Sequence, residues 1–320
     1  MAVIGVVVGS ALAVLEQPRW LALALAGFMV RGGLLILLIP LVDPPTTAAL
    51  ANLLGPTLVG FLFGGVSPSF LVLVGAVIAI LAAWLILGGL AGAALDLELI
   101  RGAAGAEDLD GIPSPRRAGP GSALIARWLA HLPTAAILLW GASPLVDAVY
   151  QELIQPGDPT LPVPVRVILR VPAVVIGLAA AWALGEAVGG LAVRYLAWGS
   201  SLPRSLILAV LALIRPSGLA VLVATDGLVL AAGLLGGTVL GIAFDQVNII
   251  AREGLEPWVF AVGIALLSIA WLGALWLLGI ATAWRSVAWT FEVGRRIPPL
   301  RIDGAPRSER AGTMDPNPDD

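Results

Sequence analysis

Six uninterrupted apolar segments, roughly 20–42, 68–95, 129–149, 172–198, 216–243 and 257–283, are each long enough to cross a bilayer as a helix. No other feature of the chain narrows its fold as far. In hydrocarbon a backbone amide must find its partner inside its own element, so an isolated span of this length is helical. The reading is therefore an all-α, polytopic integral membrane helical bundle with about six transmembrane helices. Composition agrees, with 59% hydrophobic and 12% charged residues, against about 25% charged in a typical soluble domain. The mean hydropathy is +0.97. The lipid bilayer is the first partner that such a composition implies.

A proline stands at or near the start of each span: Pro18, Pro68, Pro133, Pro172, Pro216 and Pro257. Proline suits the first turn of a helix, where its missing N–H would be unpaired anyway. Before three of these prolines lies a short stretch with a basic residue: RWLAHLP (127–133), RVILRVP (166–172) and LALIRP (211–216). Each reads as a short interfacial helix bent at proline into a span. Residues 1–19 read as an N-terminal interfacial helix, because Met1–Leu15 lacks the basic flank of a signal peptide. Residues 20–293 form the membrane domain. Within it, 43–69 is apolar but broken at Gly55-Pro56 and Gly64-Gly65, which predicts an outer re-entrant hairpin. The Gly-, Pro- and charge-rich loop 102–122 and the tail 294–320 read as flexible.

All 18 basic residues are arginine. With six spans and a cytoplasmic N-terminus, 14 of them fall inside and only Arg166, Arg170 and Arg252 outside, leaving Arg31 in the membrane. That asymmetry places both termini in the cytoplasm and the protein in a bacterial inner (plasma) membrane. On this reading Trp284 and Trp289 are interface anchors, and Arg285, Arg295 and Arg296 rest on anionic lipid.

Three charges lie deep within spans: Arg31, Glu186 and Asp226. A charge at the centre of a span costs about 2.5–3.5 kcal/mol on insertion scales, so it is paired or hydrated. Each shares its helix face with small residues: Arg31 with Ala24 and Gly27, Glu186 with Ala183 and Gly190, Asp226 with Gly233 and Gly237. Small residues mark helix–helix contact in lipid, which points all three inward. They also lie at similar depth, roughly 10–14 residues from a span end. The expectation is a mid-membrane cluster in which Arg31 pairs with Glu186, Asp226 or both, with one carboxylate in excess. Such a cluster either fixes helix register or handles a solute or proton.

Other chemistry finds little footing. The chain has no cysteine, so disulfides, thiolate nucleophiles and Cys-ligated metals drop out. Without lysine there is neither a Schiff base nor a P-loop lysine. One histidine, His131, makes no metal site, and Ser67, Ser143, Ser217 and Ser268 have no histidine at plausible depth. No catalytic residue, cofactor, nucleotide or nucleic-acid partner is expected. The stretches RWLAHLP, RVILRVP, LALIRPSG and ATAWRSVAWTFEV (281–293) resemble the uncharacterised six-helix membrane domains found alone or fused to glycerophosphodiester phosphodiesterases. The resemblance implies the bundle and its interfacial helices but no phosphodiesterase activity, since no catalytic domain of that kind is present. The functional expectation is a non-enzymatic scaffold or accessory component with an unidentified membrane partner. The alternative is a small-solute or ion transporter built on Arg31, Glu186 and Asp226.

Overall fold

The computed structural model describes residues 3–42, 46–49, 51–52, 55, 65, 68–106, 118–158, 161–254 and 256–297. Among them every regular element is helical. Six helices are long and apolar enough to cross a membrane: Pro18–Leu41, Leu71–Gly105, Leu132–Glu152, Pro172–Ala197, Pro216–Glu253 and Pro257–Gly294. They are called the first to sixth spans below. Pro18, Pro68, Pro172, Pro216 and Pro257 each open a helix, and Pro133 is the second residue of Leu132–Ile154. The three basic stretches close short helices, Pro120–Ala130, Val163–Arg170 and Leu202–Ile214. A single residue, His131, Val171 or Arg215, turns each one into the next span.

The N-terminal helix Val3–Glu16 leads through Gln17 into the first span. It turns Ile4, Val8, Leu12 and Leu15 outward. The Trp284 indole N–H fastens it, donating to the Val7 carbonyl and the Ser10 hydroxyl, both at 2.9 Å. Trp284 is thus a clamp on the N-terminal helix. Trp289, expected as an interface anchor, is buried. Of the expected loop 102–122, the second span's helix takes residues up to Ala106 and the next helix opens at Pro120. The stretch 107–117, most of the hairpin expected over 43–69, and the tail beyond 297 lie outside the described residues.

The fifth and sixth spans are 38 residues each, roughly 57 Å at about 1.5 Å per residue. That exceeds a hydrocarbon core of about 30 Å, so these helices project beyond it. The main apolar core lies in that projecting end, the base of the bundle. Trp20, Leu99, Ala126, Leu191, Ala192, Val287 and Phe291 form it, with Leu97, Ile100 and Val193 beside them. Water drives apolar burial there, whereas acyl chains offer no such drive between helices. Above the base the first, fifth and sixth spans stay packed around Leu37, Ala232, Leu240 and Ala274, while the second stands largely exposed. The second span exposes Leu71, Val72, Leu73, Val77, Ile78, Ile80 and Leu81, a belt suited to acyl chains. The third span packs chiefly against the fourth.

Where helices do touch above the base, small residues set the distance. A Cβ added at Gly236 of the GLLGGTVLG run would lie 3.0 Å from the Ala274 Cβ, so the fifth and sixth spans meet almost backbone to backbone. The first span is bent. Met29–Gly33 forms a π turn, and Gly32 adopts φ +104°, a conformation that favours glycine. Beyond the bend Pro40 reaches Gly237 of the fifth span. That point is still roughly 24 Å of helix short of Glu253, where the fifth span ends.

Candidate functional site

Arg31, beside the bend, belongs to a charged network where the spans meet the base. The centre of the network is Asp96 on the second span. Its Oδ2 accepts from Arg127 at 2.6 Å. Its Oδ1 accepts from the Ser286 hydroxyl at 3.4 Å and lies 4.0 Å from the Arg194 guanidinium. Arg194 is held from all sides, donating to the Gly190 carbonyl at 2.6 Å, the Ser286 hydroxyl at 2.6 Å and the Thr290 hydroxyl at 3.2 Å. Arg31 donates to the Gly92 carbonyl at 2.7 Å and stands 3.7 Å from Asp96 Oδ2.

A second row flanks this centre. Glu186 meets His131 at 3.2 Å, Arg285 at 3.3 Å and Arg127 at 3.5 Å. Arg285 also reaches Asp226 Oδ1 at 3.0 Å. Access divides the network differently, into a buried inner row and a more open outer row. Side chains of Asp96, Arg127 and Arg194 are 4–10% exposed, whereas those of Arg31 and Asp226 are 30% and 32% exposed. Burial works against the charge on Arg127, which lies outside the spans. The Asp96 and Glu186 carboxylates outweigh that cost and hold its pKa above the ordinary guanidinium value.

The geometry corrects the sequence reading in three respects. Arg31 takes Asp96 as its ion-pair partner, while Glu186 and Asp226 share Arg285. The three expected charges thus belong to one network, linked through Asp96, Arg127 and Arg285. The network is also off-centre. Arg127 brings in the short helix Pro120–Ala130, and Arg194 is three residues from the end of its span. Its sign is reversed as well, since Arg31, Arg127, Arg194 and Arg285 outnumber Asp96, Glu186 and Asp226 by one.

Two smaller clusters were likewise missed. At the far end Glu152, 1% exposed, holds Arg166 at 3.1 Å and Arg170 at 3.4 Å and accepts from the Gly157 N–H, stapling the helix Val163–Arg170 and Gly157 to the end of the third span. At the base Glu292 pairs with Arg295 and Arg296. Those two arginines, expected on anionic lipid, thus share one buried carboxylate of the chain, and Arg285 pairs with Glu186 and Asp226.

The seat of Arg31 gives a steric test. A Cβ on Gly92 would lie 2.6 Å from Arg31 Nε and 2.8 Å from its Cγ. Gly92→Val is expected to push Arg31 off Asp96 and cost about 1–3 kcal/mol, read from denaturant unfolding in detergent. An unchanged midpoint would mean that Arg31 does not occupy this seat. Comparison with known proteins finds no matching family model, curated protein or solved structure.

Proposed function

We propose that this chain is a non-enzymatic membrane scaffold or accessory component, with the charged network as the hub that holds its helices together. The observation that carries the reading is the reach of the network. Five of the six spans and the short helix Pro120–Ala130 each contribute a charged side chain to it. Its most buried carboxylate, Asp96, faces three guanidiniums. A buried charge set of this kind specifies one arrangement of helices, because every alternative packing strands a charge. The arginine split supports a bacterial inner membrane with both termini cytoplasmic, and so puts the base on the cytoplasmic side. The resemblance to six-helix domains of uncharacterised role is in keeping with an accessory part and an unidentified membrane partner.

A second reading, a small-solute or ion transporter using Arg31, Glu186 and Asp226, draws support from the exposure of the outer row. Cysteine labelling separates the two, since the chain has no cysteine of its own. In reconstituted vesicles of known orientation, Asp226→Cys is expected to react with a membrane-impermeant maleimide from the base side only. Ala181→Cys, buried at 7% exposure, serves as the unreactive control. Labelling of Asp226→Cys from both sides would replace the hub with a carrier.

A further inference from the structure

The bend at Arg31 adjoins an apolar trough between the first and second spans. It holds about 550 Å³ and is lined by Met29, Val30, Leu34, Ile80, Trp84 and Leu87. Trp84 makes part of its floor, donating its indole N–H to the Val30 carbonyl at 3.0 Å. Arg31 stands beside one end of the trough, seated on Gly92. Val30 precedes it in the chain, and Gly88, which also borders the trough, lies one helical turn from the Gly92 carbonyl that Arg31 bonds.

We propose that this trough with Arg31 is a binding site for an anionic phospholipid, one acyl chain lying in the trough and the headgroup phosphate on the Arg31 guanidinium. Charge complementarity selects the occupant. The network carries one more guanidinium than carboxylate, and Arg31 is the most exposed of its four guanidiniums. Among the described residues its one ion-pair partner, Asp96, is 3.7 Å away and already bonded to Arg127 at 2.6 Å. Three-tenths of the Arg31 side chain is open. An excess guanidinium at the edge of hydrocarbon is costly unless an anion meets it, and basic pockets between spans near a headgroup layer take acidic lipids. The depth is consistent, because the network is level with the short helix Pro120–Ala130, which carries Arg127. A helix of that kind lies at the boundary between headgroups and acyl chains. The trough runs from there along the apolar belt. A phosphate preorganised against Arg31 would add fork-like hydrogen bonds that a zwitterionic headgroup, with its own ammonium nearby, satisfies less well.

The test uses the full chain in phosphatidylcholine vesicles doped with an equal minor fraction of acyl-brominated phosphatidylglycerol or acyl-brominated phosphatidylcholine. Bromine quenches nearby indoles, and the Trp84 component is the difference between the native chain and Trp84→Phe. The brominated phosphatidylglycerol is expected to quench that component at least twofold more strongly. Arg31→Gln is expected to abolish the preference and Arg31→Lys to keep it. Ala83→Phe fills the trough without touching a charge, and is expected to abolish it as well. Equal quenching by the two lipids in the native chain, or a preference that survives in Arg31→Gln or Ala83→Phe, overturns the proposal. Neither result bears on the hub reading, which rests on the labelling of Asp226→Cys.

Discussion

Asp96→Ala is expected to destabilise the protein by roughly 3–5 kcal/mol, the usual cost of removing one partner from a buried charge cluster. Among the described residues Asp96 is the only carboxylate within 4 Å of Arg31 and Arg194, and it forms the shortest ion pair of Arg127. Without it three guanidiniums face one another, and two of them, Arg127 and Arg194, are buried. Arg194 keeps its Ser286, Thr290 and Gly190 partners, so its position survives while its charge goes unanswered. Asp226→Ala is the contrasting case. Asp226 is about a third exposed, and its partner Arg285 retains Glu186, so a loss of roughly 1 kcal/mol or less is expected. Reversible unfolding in detergent measures both. Equal losses would show that the network has no centre.

The second large effect is steric. Gly218, in the first turn of the fifth span, passes so close to the end of the helix Leu202–Ile214 that a Cβ there would overlap the Ala212 carbonyl. The obstacle is backbone, which cannot rotate aside. Gly218→Val is expected to cost about 3 kcal/mol or more by forcing this crossing apart. Gly227, nine residues further along the same helix, has open space where its Cβ would be. Gly227→Ala is expected to be neutral or to gain up to about 1 kcal/mol from helix propensity. Thermal unfolding of the two variants side by side gives the comparison. A tolerated Gly218→Val would mean that the fifth span does not cross the preceding helix at this point.

The spans were legible because hydropathy reports what a segment of about 20 residues can dissolve in, and the prolines report where a helix can begin. Neither signal says which face of a helix turns inward near its end. The sequence therefore counts Arg127, Arg194 and Arg285 among the cytoplasmic-side arginines and marks no role for Asp96, although the structure turns all four into the bundle. The clue that placed Arg31, Glu186 and Asp226 inside was available for these as well. Asp96 shares its face with Gly92 and Ala93, Arg194 with Gly190, and Arg285 with Ala281. Small residues thus mark the inward face at the end of a span as well as at its middle. The choice of Asp96 over Glu186 as the partner of Arg31 was not legible at all, because it depends on the bend at Gly32 and on how the second span crosses the first. The Glu152 staple was equally hidden. It joins residues on either side of a loop whose path no local pattern fixes.

The fastening of the N-terminal helix by Trp284 has a consequence for biosynthesis. The two partners are 277 residues apart, so at about 5–20 residues per second the docking site for the first helix emerges tens of seconds after the helix itself. Arg31 precedes Asp96 by roughly 3–13 s on the same clock. Asp226 meets its ion-pair partner only when Arg285 is made. The base is thus closed by the sixth span, which is made after the other five. A chain cut before Pro257 would lack both the guanidinium that neutralises Asp226 and the indole that holds the N-terminal helix. Quality control acting on such truncated chains would meet an unpaired acid and a loose apolar helix.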